Sequence, residues 1–282
     1  MHLLISCNDA YLMPQQVMLR SFFDANPQEA HSVWMLRGPL SGDADAALRR
    51  QVEAAGGSYH SIPVDTGIFR GAPTRSYISE ETYYRLLAAE YLPATLDRIL
   101  WMDADILVRK PLDGLYGTDF GGKWVVACSY GPLMLPRIRR NAEDLGLPCP
   151  EEYFNAGVML LNLDACRKVD FNRARECFFS KERPLLFPGQ DLVNSIFNGH
   201  VRLADYRIWN SMVHCIGNQA DLDFAARNAA VVHFPGKAKP WRFHDLHFAG
   251  EWMDAYRRCF GEGASLNRIS YFRLKALLRN AR

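Results

Sequence analysis

Short apolar runs alternate with segments of helical period, and that alternation limits the fold more than any other feature of the chain. "HLLISC", "SVWML" and "YHSIPV" read as buried strands. Between them "MPQQVMLRSFFDAN" carries apolar residues at helical spacing, and "DADAALRRQVEAAG" is amphipathic and stopped by Gly56. Strand and helix in turn predict an α/β fold: a mainly parallel sheet with helices on both faces. "SEETYYRLLAAEYL" predicts a helix opened by a capping box at Ser79, with Thr82 nearby and acids in its first turn. "RILWMDADILV", "WVVACSY" and "YFNAGVMLLNL" predict strands, the last with a buried helix start as its alternative. "CRKVDFNRARECFFS" and the end of "FPGQDLVNSIF" predict helices, and "VRLAD" and "AAVVHF" short strands. No linker or repeat interrupts the chain before about Phe248, so residues 1–248 are expected to form one unit and 249–282 a C-terminal helical tail.

With 282 residues, 49% of them hydrophobic, the chain has enough apolar mass for a sizeable core. A net charge of +2 gives no electrostatic reason to expect a nucleic-acid partner. "MHLLISCNDAY" lacks the basic start and long apolar run of a signal peptide, and no stretch approaches the roughly 18 apolar residues of a membrane span. Seven scattered cysteines without a C-x-x-C pair fit free thiols in a reducing compartment, so a cytoplasmic location is expected.

Chemistry concentrates at the end of "RILWM". Asp103 and Asp105 follow it, one residue apart, with Ala104 between them. In an extended chain residues i and i+2 point to one side, so the two carboxylates would face together. They repel unless they share a proton or hold a cation. Hard oxygen ligands suit Mg²⁺ or Mn²⁺, and a nearby imidazole shifts the choice towards Mn²⁺. D-x-D alone is a weak signal, and two solvated acids at a strand end would look the same. Ligands of open α/β sheets collect beyond the carboxyl ends of strands, which is where this pair falls. In "VVHFPGKAKPW" a strand delivers His233, Pro235 and Gly236 turn the chain, and Lys237 and Lys239 follow. An acid pair, a late histidine and a basic turn together suggest a diphosphate bridged by a metal.

These stretches, with "SCNDAY", "TYYRLLAAEYLP", "YFNAGVMLLNL" and "GQDLVN", occur in an order that resembles glycosyltransferase family 8, the retaining nucleotide-sugar transferases with a GT-A fold. The likeness is greatest to the bacterial lipopolysaccharide galactosyl- and glucosyltransferase branch. It implies a Rossmann-like mixed sheet, a UDP-hexose donor (UDP-galactose or UDP-glucose), a saccharide or glycolipid acceptor and Mn²⁺, with Mg²⁺ as the substitute. The loop holding Asn8 and Tyr11 would take the uracil and ribose, with Tyr11 stacked on the base. Arg85 would reach the donor. Asp103, Asp105 and His233 would bind the metal, Ala104 would leave space beside them, and Lys239 would face the diphosphate. Gly236 would let the backbone approach the phosphates. Asn155, Ala156 and Gly157 would line the sugar pocket. Gln190 would lie beneath the anomeric carbon, with Asp191 beside it. The sequence departs from the family at Asn8, often an acid, and more sharply at Gly189, where an acid usually precedes the glutamine. Asp191 is a possible substitute for that acid.

Two further expectations concern surfaces. "DTGIFRGAPTRSYIS" is a candidate cover for the site. "SLNRISYFRLKALLRNAR" has five cations and no acid, interleaved with apolar residues. As a helix it would lie on an anionic membrane, so the protein would sit on the inner face of the cytoplasmic membrane; a helix packed on the domain is the alternative. Competing functional readings are a UDP-binding protein without turnover and another metal-dependent nucleotide enzyme.

Overall fold

Ten strands form two sheets among the described residues, which in this computed structural model are all except 28–29, 70–71, 74–79, 181–184 and 275–282. In chain order the strands are β1 (His2–Ile5), β2 (Ser32–Arg37), β3 (Ser58–Pro63), β4 (Arg98–Met102), β5 (Ile106–Val108), β6 (Val125–Cys128), β7 (Asn155–Asn162), β8 (Val201–Ala204), β9 (Ser211–Met212) and β10 (Val231–His233). The larger sheet has the order β3-β2-β1-β4-β7-β6-β8, the smaller β5-β10-β9. Strands β3, β2, β1 and β4 are parallel neighbours; β7 runs antiparallel between β4 and β6, and β8 is parallel to β6. The mainly parallel sheet expected from the alternation is present, with one strand reversed.

The strands are buried on both faces, and their period of two divides the core. Leu3 and Ile5 pack into one hydrophobic cluster, Leu4 into the other, on the opposite face. The helix Gly42–Ala54 starts at Ser41, whose Oγ accepts from the Ala44 N–H at 3.3 Å, with Asp43 and Asp45 in the first turn. Gly56 follows in the left-handed region, φ +79°, as a helix stop requires. Helix Leu12–Ala25 joins the two sheets: its Ser21 hydroxyl accepts from the Val108 N–H of β5 at 3.0 Å.

Three local readings change, and the strand reading of "YFNAGVMLLNL" stands over its alternative. "RILWMDADILV" is two strands in different sheets, so Asp103-Ala104-Asp105 is a turn between them and not an extended strand end. Residues Glu80–Leu87 form a 3-10 helix, continued as α-helix only over Ala88–Tyr91; the proposed cap Ser79 lies outside the described residues. Tyr83 to Leu87 are all buried, and an amphipathic α-helix offers one face to a core, not five consecutive positions. "YFNAGVMLLNL" is the strand β7, not a helix start. "CRKVDFNRARECFFS" breaks after Cys166 and restarts as the helix Phe171–Phe179, capped by Asp170, whose carboxylate accepts from the Arg173 N–H at 2.9 Å.

Topology gathers the functional segments on one edge. Strands β1 and β4 end there, delivering Ser6–Tyr11 and Asp103; reversed β7 begins there, with Asn155–Gly157. Met102 is in register with Val158, and the Asp103 N–H donates to Gly157 O at 2.9 Å. The β6–β7 register slips between Ala127 and Cys128, a bulge that re-aims Asn155 to Gly157. Helix Ala249–Phe260 packs Trp252, Met253, Ala255 and Tyr256 with Val17, Leu107, Val232 and Phe234. Beyond it, Asp245 accepts from the Ser270 hydroxyl and the Tyr271 and Phe272 N–H groups at 2.6, 2.7 and 3.1 Å, tying the described part of the tail to the body. Ile269 and Phe272 remain exposed there; the rest of the basic stretch, from residue 275, lies outside the described residues.

Candidate active site

A cavity of about 410 Å³ opens at this edge, walled by the β1 loop, the 80–87 segment, the Asp103–Asp105 turn, the start of β7, the first turn of helix Pro188–Phe197 and the turn after β10. Of the sequence-predicted residues, Asn8, Tyr11, Arg85, Asp103, Ala104, Asp105, Asn155, Ala156, Gly157, Gln190, His233, Gly236 and Lys239 all line it. Asp191 does not.

Asp103, Asp105 and His233 each offer a donor atom, and these atoms lie within 4.8 Å of one another, so the three could hold a metal ion. The turn, not an extended chain, makes the acids converge. His233 is brought in by β10, whose register sets it opposite Ile106, with the Phe234 N–H on Asp105 O at 3.0 Å.

The tautomer of His233 follows from fixed donors. The Gly157 N–H donates to Asn155 Oδ1 at 3.0 Å, so that atom is the oxygen. Asn210 Nδ2 donates to the same oxygen at 3.0 Å, which turns Asn210 Oδ1 towards His233 Nδ1 at 2.9 Å. An oxygen there requires Nδ1–H, leaving Nε2 directed at Asp105 Oδ1, 3.2 Å away. Lone pair against carboxylate is unfavourable unless a cation or a proton stands between them. The residues therefore fit a divalent ion with mixed oxygen and imidazole ligands. Asn210, fully buried, carried no sequence signal.

Glycine at 157 is what admits this imidazole. A Cβ there would stand 2.3 Å from His233 Cε1 and 2.9 Å from Nδ1. Gly236 serves differently: its φ is +79°, and a Cβ would meet nothing.

The acids are balanced unequally. Arg85 Nη2 and Trp101 Nε1 donate to Asp103 Oδ1 at 3.0 and 2.8 Å. The Arg85 guanidinium also lies 4.3 Å from the Trp101 ring centroid and donates to Thr82 O at 2.7 Å and to Ala156 O. Burial lowers the Arg85 pKa and the Asp103 carboxylate opposes that. Lys239 Nζ rests on Asp105 Oδ2 and donates to Phe234 O at 2.8 Å. Lys239 thus pairs with Asp105, whereas the resemblance sets it against the diphosphate. Burial disfavours the Asp105 anion, yet the Lys239 ammonium outweighs it and holds the carboxyl well below the usual carboxylate range.

At the loop after β1, Asn8 Nδ2 donates to Glu81 Oε2 at 3.2 Å. Asn8 Oδ1 and Ser6 Oγ are buried and have no hydrogen-bond partner among the described residues. Tyr11 stands edge-on to Trp241, 6.0 Å between centroids, and its hydroxyl is pushed up to about 12 by burial and by the Asp105 and Asp103 charges.

At the opposite end Gln190 is clamped. Its Oε1 accepts from Tyr130 Oη at 3.0 Å, Asn155 Nδ2 at 3.2 Å and the Ala156 N–H at 3.3 Å. Its Nε2 donates to Tyr153 Oη at 3.0 Å, and Tyr153 donates on to Asp191 Oδ1 at 2.5 Å. Asp191 also accepts from Asn141 Nδ2 at 2.8 Å and the Phe187 N–H at 2.9 Å. Fully buried and saturated with donors, Asp191 cannot stand in for the missing acid before Gln190; burial raises its pKa, partly offset by Tyr153. Its place on the first turn of its helix turns it inward, where it fixes Tyr153 and so Gln190. Asn155, expected against a sugar hydroxyl, has its amide committed to Tyr130, Gln190, Gly157 and Asn210. At Gly189 a Cβ would lie 2.9 Å from Thr82 Oγ1, so Thr82 occupies space that a side chain at 189 would need. Tyr130 joins the site without any motif to mark it, and Tyr153 and Trp101 lie within quoted motifs that give no sign of their roles.

Known proteins share this sequence pattern and this fold. Residues 2–245 match Glycosyl transferase family 8. The galactosyltransferase LgtC, solved with donor and acceptor sugar analogues, superposes with a TM-score of 0.79 at 28% identity, over 96% of this chain and 98% of that one, which makes the fold GT-A. General stress protein A of Bacillus subtilis is 23% identical over 88% of this chain and 89% of its own length. A lipopolysaccharide 1,2-glucosyltransferase of Escherichia coli is 27% identical over 64% of this chain and 55% of its own length. From its ordered motifs, its sheet topology and a match spanning most of its length, the chain belongs to glycosyl transferase family 8.

Proposed function

We propose that this family 8 enzyme transfers a hexose from UDP-galactose or UDP-glucose to a saccharide hydroxyl, with retention of anomeric configuration and dependence on Mn²⁺. The observation that carries the reading is the convergence of Asp103, Asp105 and His233 in one cavity, between the β1 loop and Gln190. The orphaned Asn8 Oδ1 supports uracil as the base: it needs a donor, and uracil N3–H is one. An amide in place of the common acid keeps that acceptor. Asn8→Leu is expected to weaken UDP binding roughly tenfold or more, because uracil N3–H would meet no acceptor; calorimetry with Mn²⁺ present measures it, and unchanged affinity removes Asn8 from base recognition.

When bound, Mn²⁺ would neutralise the charge growing on the departing diphosphate. Lys239 adds a cation beside it, and Arg85 orients Asp103. Retention by double displacement requires a nucleophile below the sugar. Gln190 carries no full charge, and its carbonyl oxygen is already held by three donors. Asp191 is buried away from the cavity. Same-face attack follows: the anomeric C–O bond to UDP breaks, the acceptor oxygen bonds on the vacated side, and its proton passes to the leaving phosphate oxygen. Gln190 then serves as a fixed dipole under the cationic carbon. Gln190→Ala is expected to lower kcat by about 10²-fold with little change in UDP affinity. Near-full turnover in a UDP-release assay would remove Gln190 from the chemistry.

Location is part of the same proposal: a cytoplasmic enzyme of lipopolysaccharide or other cell-surface glycan synthesis, with the basic stretch 265–282 as its contact with an anionic membrane. No helix among the described residues is long and apolar enough to cross one.

A further inference from the structure

Within the donor reading just given, on which this rests, we propose that the acceptor is an anionic saccharide, bearing a carboxylate or phosphate, and that Arg137 recognises the anion.

The cavity is electrically lopsided. Three carboxylates line it, Glu81, Asp103 and Asp105, and each belongs to the nucleotide and metal end, where Asn8, Arg85 and Lys239 engage them. Among the described residues the sugar end has no acid. Gly189 supplies none, Thr82 fills the adjoining space with a neutral hydroxyl, and Asp191 is turned inward. A neutral hexose offers many hydroxyl donors, and a wall built for one would normally include a carboxylate to accept them.

Among the described residues one cation lines that end. Arg137 is exposed in the first turn of helix Leu135–Asp144 and reaches the cavity wall. It lies one helical turn before Asn141, so both share a face. Asn141 bonds Asp191, the neighbour of Gln190, which puts Arg137 on the mouth side of the reacting end. No carboxylate pairs with Arg137 among the described residues. His214, the other basic group there, is pushed down to about 4 by burial and by His233, and adds no charge at neutral pH. Among the described residues Arg85 pairs with Asp103 and Lys239 with Asp105, so neither acid needs Arg137. A divalent ion and a nucleoside diphosphate with two charged phosphates cancel each other, which leaves Arg137 for a further anion. Its position on the exposed rim, and not at the depth of Arg85, assigns that anion to the entering acceptor. A planar guanidinium suits carboxylate and phosphate oxygens equally.

The test compares paired acceptors, octyl β-D-glucoside with octyl β-D-glucuronide and mannose with mannose 6-phosphate, using UDP-glucose and UDP-galactose with Mn²⁺. The wild-type chain is expected to favour the anionic member of a pair by about tenfold or more in kcat/KM. That ratio is expected to fall towards one in Arg137→Gln and below one in Arg137→Glu. Equal use of both members by wild type, or a ratio unmoved in Arg137→Gln, overturns the proposal. Preferential consumption of UDP-glucuronate over UDP-glucose, lost in Arg137→Gln, moves the anion to the donor and also overturns it. If no acceptor is turned over, calorimetry on UDP–Mn²⁺-loaded protein decides. Tighter binding of the glucuronide than the glucoside, weakened in Arg137→Gln, supports the proposal, and no difference sinks it. UDP binding in the same experiment separates the two levels: intact UDP binding without anion preference fails this proposal alone, whereas absent UDP binding fails the donor reading as well.

Discussion

Asp105→Asn is expected to lower kcat/KM for UDP release by roughly 10³-fold, about 4 kcal/mol of transition-state stabilisation. The substitution keeps the shape of the side chain and removes one charge. Asp105 is nearly buried and has His233 on one oxygen and Lys239 on the other. Without the carboxylate, the two acids and one imidazole become a weaker set for a divalent cation, and Lys239 loses its counter-charge in a buried place. Two readouts follow. Mn²⁺ affinity falls together with activity, and the pH dependence of stability changes. Because the folded-state pKa of Asp105 is lowered, its charge stabilises the wild-type fold above the unfolded carboxylate range. That contribution is lost as pH falls towards the folded-state value. The variant lacks this term, so its melting temperature should fall less than that of wild type between neutral and acid pH. Equal Mn²⁺ affinity in the two proteins would contradict the metal assignment.

Gly157→Ala is expected to cost 10- to 100-fold in Mn²⁺ affinity, although it changes no ligand. The added carbon would stand 2.3 Å from the His233 ring, a distance that non-bonded atoms do not tolerate. The Gly157 backbone is held by the Asp103 N–H on its carbonyl and by its own N–H on Asn155 Oδ1, so the imidazole must move off Asn210 and away from Asp105. Activity should then fall at low Mn²⁺ and recover in part as Mn²⁺ is raised. A drop of about 1–3 kcal/mol in stability accompanies the overpacking. An unaltered Mn²⁺ titration would mean that His233 does not need its present position.

The contrast between these two residues shows what was legible in the chain. Asp105 belongs to a short motif at a strand end, and its chemistry could be read directly. The motif sets Gly157 in the lining of a sugar pocket, whereas the space beside it is taken by His233, 76 residues on in the sequence. The strands and principal helices were legible because they follow apolar periods. The 3-10 geometry of Glu80–Leu87 was not, since it comes from burying five residues in a row so that Arg85 reaches Asp103. Asn210, Tyr130 and Tyr153 were hidden for a related reason. They are ordinary residue types whose roles exist only through partners far away in sequence. Asp191 lies beside Gln190 as expected, but motif spacing does not say which way a first-turn side chain turns, and it turns inward onto Tyr153.

The most direct measurement is a crystal structure grown with MnCl₂ and UDP, with anomalous diffraction recorded at the manganese edge. The account predicts one peak about 2–2.3 Å from Asp103, Asp105 and His233 Nε2, with diphosphate oxygens on it and the uracil against Asn8. A manganese peak elsewhere, or His233 Nε2 turned away from a bound ion and nucleotide, would contradict it.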